Sequence, residues 1–325
     1  MNSNLNEILV VKKNKIHVEA FTLPKEFKKV NVPPIKSQGI KTKLVNFISL
    51  NLKWEGKGRW YEPFMGSGVV SLNIAPNRAI LSDINPYIIN FYKLIQKNEI
   101  NPKKVRDFLN KHGKKLAATD KSTNSYYYEL RDKFNQNKDP LYFLFLNRSC
   151  FNGLIRFNNS GLFNTPFCRK PNRFSKGYIT KIVNQVDWVQ KTIQKKKFEF
   201  KCIDWHEIVQ DAKENDMVYI DPPYYGRHDT YFNEWSEKDA LELVEWTRNT
   251  KSGFAISIWL KNKHRVNNFV EKHWKSNIIR TFSHYYFVGS AENNRTKMEE
   301  GLIIKPEFAS DNVPSLKEPF KNYKG

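Results

Sequence analysis

The chain has 325 residues, with 54 Lys and Arg against 33 Asp and Glu, a formal charge of +21. Hydrophobic residues make up 40% and aromatics 14%, which supports a real core and excludes a wholly disordered chain. The basic excess points to a polyanionic partner, nucleic acid first, although a Lys- and Asn-rich proteome would give the same balance. Cys150, Cys168 and Cys202 form neither a C-x-x-C pair nor a disulfide framework, and read as reduced thiols of a cytoplasmic protein. No apolar h-region opens the chain and no apolar run approaches the roughly 18 residues of a membrane span, so neither secretion nor membrane insertion is expected.

In chain order, residues 1–30 are polar and Lys-rich and read as an N-terminal arm. Residues 40–52 carry apolar groups at helical spacing. RWYEPF (59–64) predicts a strand running into a glycine turn, VVSLNIA (69–75) a buried helix, AILSD (79–83) a second strand and PYIINFYKLIQ (86–96) a second helix. That order begins a parallel α/β sheet. Residues 98–175 break it with Asn, Lys and aromatics, and inside them 151–158 and 162–167 flank Asn159-Ser160-Gly161 as a hairpin. The α/β rhythm returns with a helix near 176–194 and strands at 198–204, 217–221 and 253–258; 282–289 and 301–305 read as closing antiparallel strands. The expected fold is one doubly wound, mostly parallel α/β domain (31–97 and 176–305), interrupted by a helical and hairpin insert (98–175) and followed by a tail (306–325).

Two motifs carry chemistry. In Glu62-Pro63-Phe64-Met65-Gly66-Ser67-Gly68, two glycines let backbone pass close to a ligand at the sheet's carboxyl edge. Ser71 stands where G-x-G-x-x-G needs its third glycine, so a nucleoside without a pyrophosphate fits better than a dinucleotide. Asp83 ends the next strand, where an acid accepts hydrogen bonds from ribose hydroxyls. Asp221-Pro222-Pro223-Tyr224 follows the apolar strand MVYI. The prolines remove donors, leaving a carboxylate and a prolyl carbonyl as acceptors beside an aromatic face. That suits a planar base with an exocyclic amine: two accepted protons localise the nitrogen lone pair for attack on a methyl group. Gly39-Ile40-Lys41-Thr42 lacks the phosphate-loop pattern, and the His and Cys residues show no metal spacing. In the insert, Asn147, Arg148, Phe151, Asn152, Arg156 and Arg169 offer aromatic, amide and guanidinium groups suited to reading bases. The plain alternative is that Phe145, Phe151 and Phe157 only pack the insert's core.

Phe64-x-Gly66-x-Gly68 followed by Asp221-Pro222-Pro223-Tyr224 resembles the S-adenosylmethionine-dependent amino-methyltransferases. With the insert between the two motifs, the order resembles the α class of DNA adenine-N6 methyltransferases, the Dam/D12 family, which has a Rossmann-like class I methyltransferase fold. PPIKSQGIKTK (33–43), FLNRSCFNG (145–153), PNRF (171–174) and DPPYYGRH (221–228) are most similar to its EcoRV-type modification methylases. Ser37 stands where many members have the Trp of K-W-A-G-G-K.

The resemblance implies that Lys41 and Ser37 contact the methionine part of S-adenosylmethionine, that Phe64, Gly66 and Gly68 line the cofactor, and that Asp83 holds the ribose. Asp204 would read the cofactor's adenine, with a helix N-cap as the competing reading. Asp221, beside the cofactor, would act with Pro222 and Tyr224 on the target adenine, which must flip out of double-stranded DNA. Phe151 and Asn152 would occupy the vacated space, and Arg156 would read the preceding guanine of a GATATC-type or GATC site. No metal and no covalent nucleophile are implied. The expected protein is a monomeric modification enzyme whose cognate restriction endonuclease is a functional rather than a physical partner. The alternatives are an RNA adenine-N6 or protein-glutamine methyltransferase, against which Asp221 argues because those enzymes carry Asn there, and a non-catalytic DNA-binding protein.

Overall fold

The computed structural model describes residues 21–119, 125–223, 235–262, 265–287 and 295–311. Strands β1 (Trp60–Glu62), β2 (Arg78–Ser82), β3 (Lys197–Lys201), β4 (Met217–Ile220), β5 (Gly253–Asn262), β6 (Ile278–Phe287) and β7 (Arg295–Ile304) form one sheet in the order β3-β2-β1-β4-β5-β7-β6. The strands from β3 to β5 pair in parallel, and β7 runs antiparallel to both its neighbours. The strand order reverses between β1 and β4, where a doubly wound sheet opens a crevice at its carboxyl edge. The expected α/β class and mostly parallel sheet are both present.

Helices cover both faces, so the central strand β4 is apolar throughout: Met217, Val218, Tyr219 and Ile220 are all buried. Alternate residues enter different cores. Trp60, Met217 and Tyr219 join α1 (Val45–Asn51), α2 (Val69–Ile74), α3 (Pro86–Gln96) and α7 (Lys176–Gln194). Tyr61, Val218 and Ile220 join α8 (Trp205–Val209), α9 (Glu237–Asn249) and α10 (Asn268–Trp274). Between α3 and α7 the insert adds α4 (Pro102–Ala118), α5 (Ser125–Asn137) and α6 (Pro140–Ser149), and its aromatics continue the first core. Phe145 stacks on Phe174 at 4.4 Å, and Tyr87 of α3 stacks on Phe157 of the insert at 5.0 Å. Pro at the first turn with an Asn or Asp cap starts α3 and α6, through Asn85 and Asp139.

Three regions differ from their sequence patterns. The hairpin has only isolated bridges, Cys150 with Phe167 and Phe157 with Phe163, and Phe151–Gly153 is a 3₁₀ turn. Asn158 Oδ1 accepts from the N–H groups of Ser160 and Leu162, so a side chain closes the loop instead of a strand ladder. β6 begins four residues early, at Ile278-Ile279, and β7 six, because the polar run Arg295–Glu300 hides the start of β7 from a hydrophobicity pattern. Residues 21–31 lie against the sheet domain: Leu23 bridges Trp54, and Asn46 exchanges two hydrogen bonds with Phe27. At the other end, Ala309 bridges Leu52.

Candidate active site and nucleic-acid interface

A cavity of about 220 Å³ opens at the carboxyl ends of β1, β2, β3 and β4. Each strand delivers one part. β1 runs into Glu62, Phe64 and Gly66; β2 into Asp83 and Asn85; β3 into Asp204 and Trp205; β4 into Asp221 and Pro223. Ser37 to Lys41 form a further wall, and Leu154, Ile155 and Phe157 of the insert close the cavity from one side.

The glycine turn is shaped by backbone need. Gly66 (φ 47°) and Gly68 (φ 69°) adopt left-handed geometry, which favours glycine, and Gly68 caps α2. Asp83 fixes this turn: Oδ2 accepts from Gly66 N–H at 2.9 Å, and Oδ1 accepts from Asn85 N–H at 2.8 Å. Each oxygen keeps lone-pair capacity for ligand hydroxyls. Burial raises the Asp83 pKa, opposed by those two backbone donors. Asp204 does serve as the N-cap of α8, accepting from His206 N–H at 3.0 Å, while also lining the cavity. His206 contacts Asp204 through Nδ1 and Glu242 through Nε2, the latter at 2.9 Å.

At the end of β4, Asp221 Oδ1 lies 2.9 Å from the buried Lys41 Nζ, which also donates to Gly39 O at 3.0 Å. Burial raises the Asp221 pKa, and the Lys41 charge opposes that rise. Pro222 is buried, Pro223 faces the cavity, and Tyr224 lies outside the described residues. Sequence reasoning gave no role to several lining groups, Glu62, Trp205 and Trp235 among them. Glu62 is buried, accepts from Ser71 N–H at 3.0 Å and has its pKa pushed up to about 8 by burial. Phe64 packs between Trp205 and Trp235, at 6.4 and 5.4 Å. Glu62 and Trp205 adjoin the quoted motifs, whereas no local pattern around Trp235 points to the cavity.

Charge selects the kind of ligand. Among the described residues Asp83, Asp204, Asp221 and Asp239 line the cavity, with Glu62 held protonated by burial, against one cation, Lys41, which is paired with Asp221. That lining repels a pyrophosphate and suits a nucleoside carrying positive charge. S-adenosylmethionine, with a sulfonium, an ammonium and a ribose, fits this donor and acceptor set. No cluster of His, Cys, Asp and Glu among the described residues could hold a metal ion.

The expected nucleic-acid contacts divide. Phe151 is 54% exposed, so it is not part of the insert's core, whereas Phe145 is fully buried. Asn152 beside it is exposed and holds φ 52°, and Arg169 is exposed at φ 56°. Arg156 donates from Nε to Asn164 Oδ1 at 2.8 Å and from Nη2 to Asn164 O at 3.3 Å, which aims a guanidinium with further donors. Asn147 and Arg148 correct the expectation. Asn147 is fully buried, with its amide bonded to Lys36 and Gly153. Arg148 is 3% exposed, donates to Pro34 O at 3.1 Å and sits over the Tyr178 ring. Both lie near the C-terminal end of α6, where every residue from Phe143 to Ser149 is buried, and neither reaches solvent for DNA.

Residues 37–287 match the family model described as D12 class N6 adenine-specific DNA methyltransferase. The chain is 31% identical over 212 residues to the DNA adenine methylase of Haemophilus influenzae, covering 62% of this chain and 69% of that protein. It is 28% identical over 258 residues to the type II methyltransferase M.MjaIII of Methanocaldococcus jannaschii, covering 73% and 86%. It is 32% identical over 211 residues to the DNA adenine methylase of Vibrio cholerae, covering 62% and 71%. The matched span holds the strand-end acids, the insert and Asp221, and on that ground this chain belongs to the D12 class of N6 adenine-specific DNA methyltransferases.

Proposed function

We propose that this site-specific adenine-N6 DNA methyltransferase binds S-adenosylmethionine in the strand-end cavity and acts on an adenine flipped from duplex DNA. The observation that carries this reading is the position of Asp221 and Pro223, on either side of the buried Pro222, on the cavity wall, with the exposed Phe151–Asn152 turn on the insert that closes the same cavity. When bound, the cofactor supplies an electrophilic methyl on sulfur. Asp83 accepts from the ribose hydroxyls, Asp204 from the adenine amine, and Phe64 packs against the base. Ser37 and Lys41 lie on the wall assigned to the methionine end. Lys41 also holds Asp221 ionised, by pairing with Oδ1 and leaving Oδ2 to accept one N6 hydrogen of the target. The Pro222 carbonyl accepts the second, which turns the nitrogen lone pair toward the methyl; Tyr224 supplies a stacking face. The chemistry is positioning and electrostatics.

In this reading residues 98–175 are the target-recognition domain. Phe151 enters the gap left by the flipped base, Asn152 supports it, Arg156 reads the preceding guanine, and Arg169 holds phosphate. The site is GATATC-like or GATC-like, and the enzyme works in the cytoplasm as a monomer, modifying DNA against a cognate restriction endonuclease. Modification mapping of DNA from cells expressing the chain tests this. N6-methyladenine at one short recurring sequence is expected; unmodified DNA, or methyl groups on RNA or protein instead, would contradict it.

A further inference from the structure

Resting on that division between cavity and insert, we propose that Asn147 is a positioning residue that couples DNA engagement at the Phe151–Asn152 turn, through Lys36, to the cofactor wall at 37–41. The amide of Asn147 works in two directions. Toward the cofactor wall, Oδ1 accepts from Lys36 N–H at 2.8 Å and Nδ2 donates to Lys36 O at 2.9 Å. Toward the insert, the same Nδ2 donates to Gly153 O at 3.2 Å. Lys36 immediately precedes Ser37, the first lining residue of the cavity. Gly153 closes the 3₁₀ turn that carries the exposed Phe151 and Asn152.

The two segments also touch. A Cβ on Gly153, which holds φ 71°, would fall 2.6 Å from Lys36 Cδ and 2.9 Å from Lys36 Cβ. The Lys36 stem therefore lies directly on the turn. Arg148, the next residue of α6, donates to Pro34 O at 3.1 Å, and Arg173 donates to Arg148 O at 3.0 Å. Residues 34–36 thus hang from the end of α6. If the turn shifts as its ring enters DNA, residue 36 must shift with it or a buried amide group loses its partner. Since coupling between two ligands is reciprocal, DNA should tighten cofactor binding and cofactor should tighten DNA binding by the same factor.

The test is calorimetric titration of S-adenosylhomocysteine into the full chain, alone and with a duplex carrying the mapped site. For the native chain, the duplex is expected to tighten binding fivefold or more, within the usual range of such coupling. Asn147→Asp keeps the acceptor for Lys36 N–H and removes both donations. Its gain is expected to fall below twofold. A purely structural role would weaken both titrations in proportion and leave the ratio unchanged, and an unchanged ratio overturns the proposal. If Asn147→Asp does not fold, hydrogen exchange of the native chain replaces it: the duplex alone is expected to slow exchange of the Lys36 amide, which Asn147 Oδ1 holds, and unchanged exchange there overturns the proposal. A native chain that methylates DNA but shows no coupling overturns this proposal and leaves the functional reading standing. A native chain that binds neither ligand and transfers no methyl overturns the functional reading itself.

Discussion

At the ends of β1 to β4, Glu62, Asp83, Asp204 and Asp221 all face one cavity, whereas in the insert Asn147 and Arg148 turn inward and Phe151, Asn152 and Arg169 turn out. The difference lies in what sets direction. A parallel strand ends at the same edge as its neighbours, so a polar residue just past it meets the polar residues past the others. A helix end imposes no such rule. Asn147 and Arg148 occupy consecutive positions near the C-terminal end of α6, yet both serve the packing of residues 34–36 and of Gly153.

The sharpest way to break this comparison is at Asp221. Asp221→Ala is expected to reduce turnover by about 10²–10³, the usual cost of removing one preorganised electrostatic group. Binding of S-adenosylhomocysteine should change by less than about fivefold, as read by calorimetry on the same preparation. Turnover within tenfold of the native chain would remove Asp221 from the chemistry. The pH profile sharpens the point. The ionised carboxylate is the active form, so rate is lost as pH falls through its pKa, which burial places above the ordinary Asp range. Lys41⁺ opposes that rise, so Lys41→Met should move the acid limb of kcat to higher pH.

Asp83→Ala comes next. It removes charge-assisted hydrogen bonds worth about 1.5–3 kcal/mol each. Affinity for S-adenosylhomocysteine should fall by roughly one to two orders of magnitude. Asp83→Asn, which keeps an acceptor for Asn85 N–H, should lose less. Equal affinity in all three proteins would exclude Asp83 from the ribose.

On the insert side, Arg156→Ala should cost roughly 1–3 kcal/mol of discrimination at one guanine. Non-specific affinity should hold, because phosphate contacts supply it. Methylation rates on duplexes varied at each base pair measure this, and unaltered selectivity would assign the reading elsewhere.

The smallest effect concerns Glu62. Its folded pKa of about 8 stands well above that of an exposed Glu, so the folded state keeps a proton that the unfolded chain releases. Its contribution to stability is complete below the unfolded value and is lost as pH rises toward 8. Glu62→Gln should therefore melt a few degrees above the native chain near pH 8 and show no such gain near pH 4. A constant difference across that range would mean that Glu62 does not titrate there.

Most of the sheet domain was legible because its signals are local. Pro86 and Asn85 mark the start of α3, and β4 is a short apolar run ending in Asp-Pro-Pro. Gly66, Asp83 and Asp221 could be placed because strand ends converge by topology. The Lys41–Asp221 pair joins residues 180 positions apart, and no spacing rule brings them within 2.9 Å. Trp235 and Phe157 reach the cavity through packing alone. The inward turn of Asn147 was equally hidden, since an Asn near an aromatic loop looks the same whether it bonds a base or a backbone.

The most direct test is transfer of a trideuterated methyl from labelled S-adenosylmethionine to duplex DNA, with the digested nucleosides read by mass spectrometry and the Asp221→Ala chain run in parallel. The expected result is trideuteromethyl on N6 of adenine from the native chain and almost none from the variant. Label on cytosine, on RNA or on protein, or equal N6 labelling by both chains, would contradict the assignment of this cavity to adenine-N6 methylation.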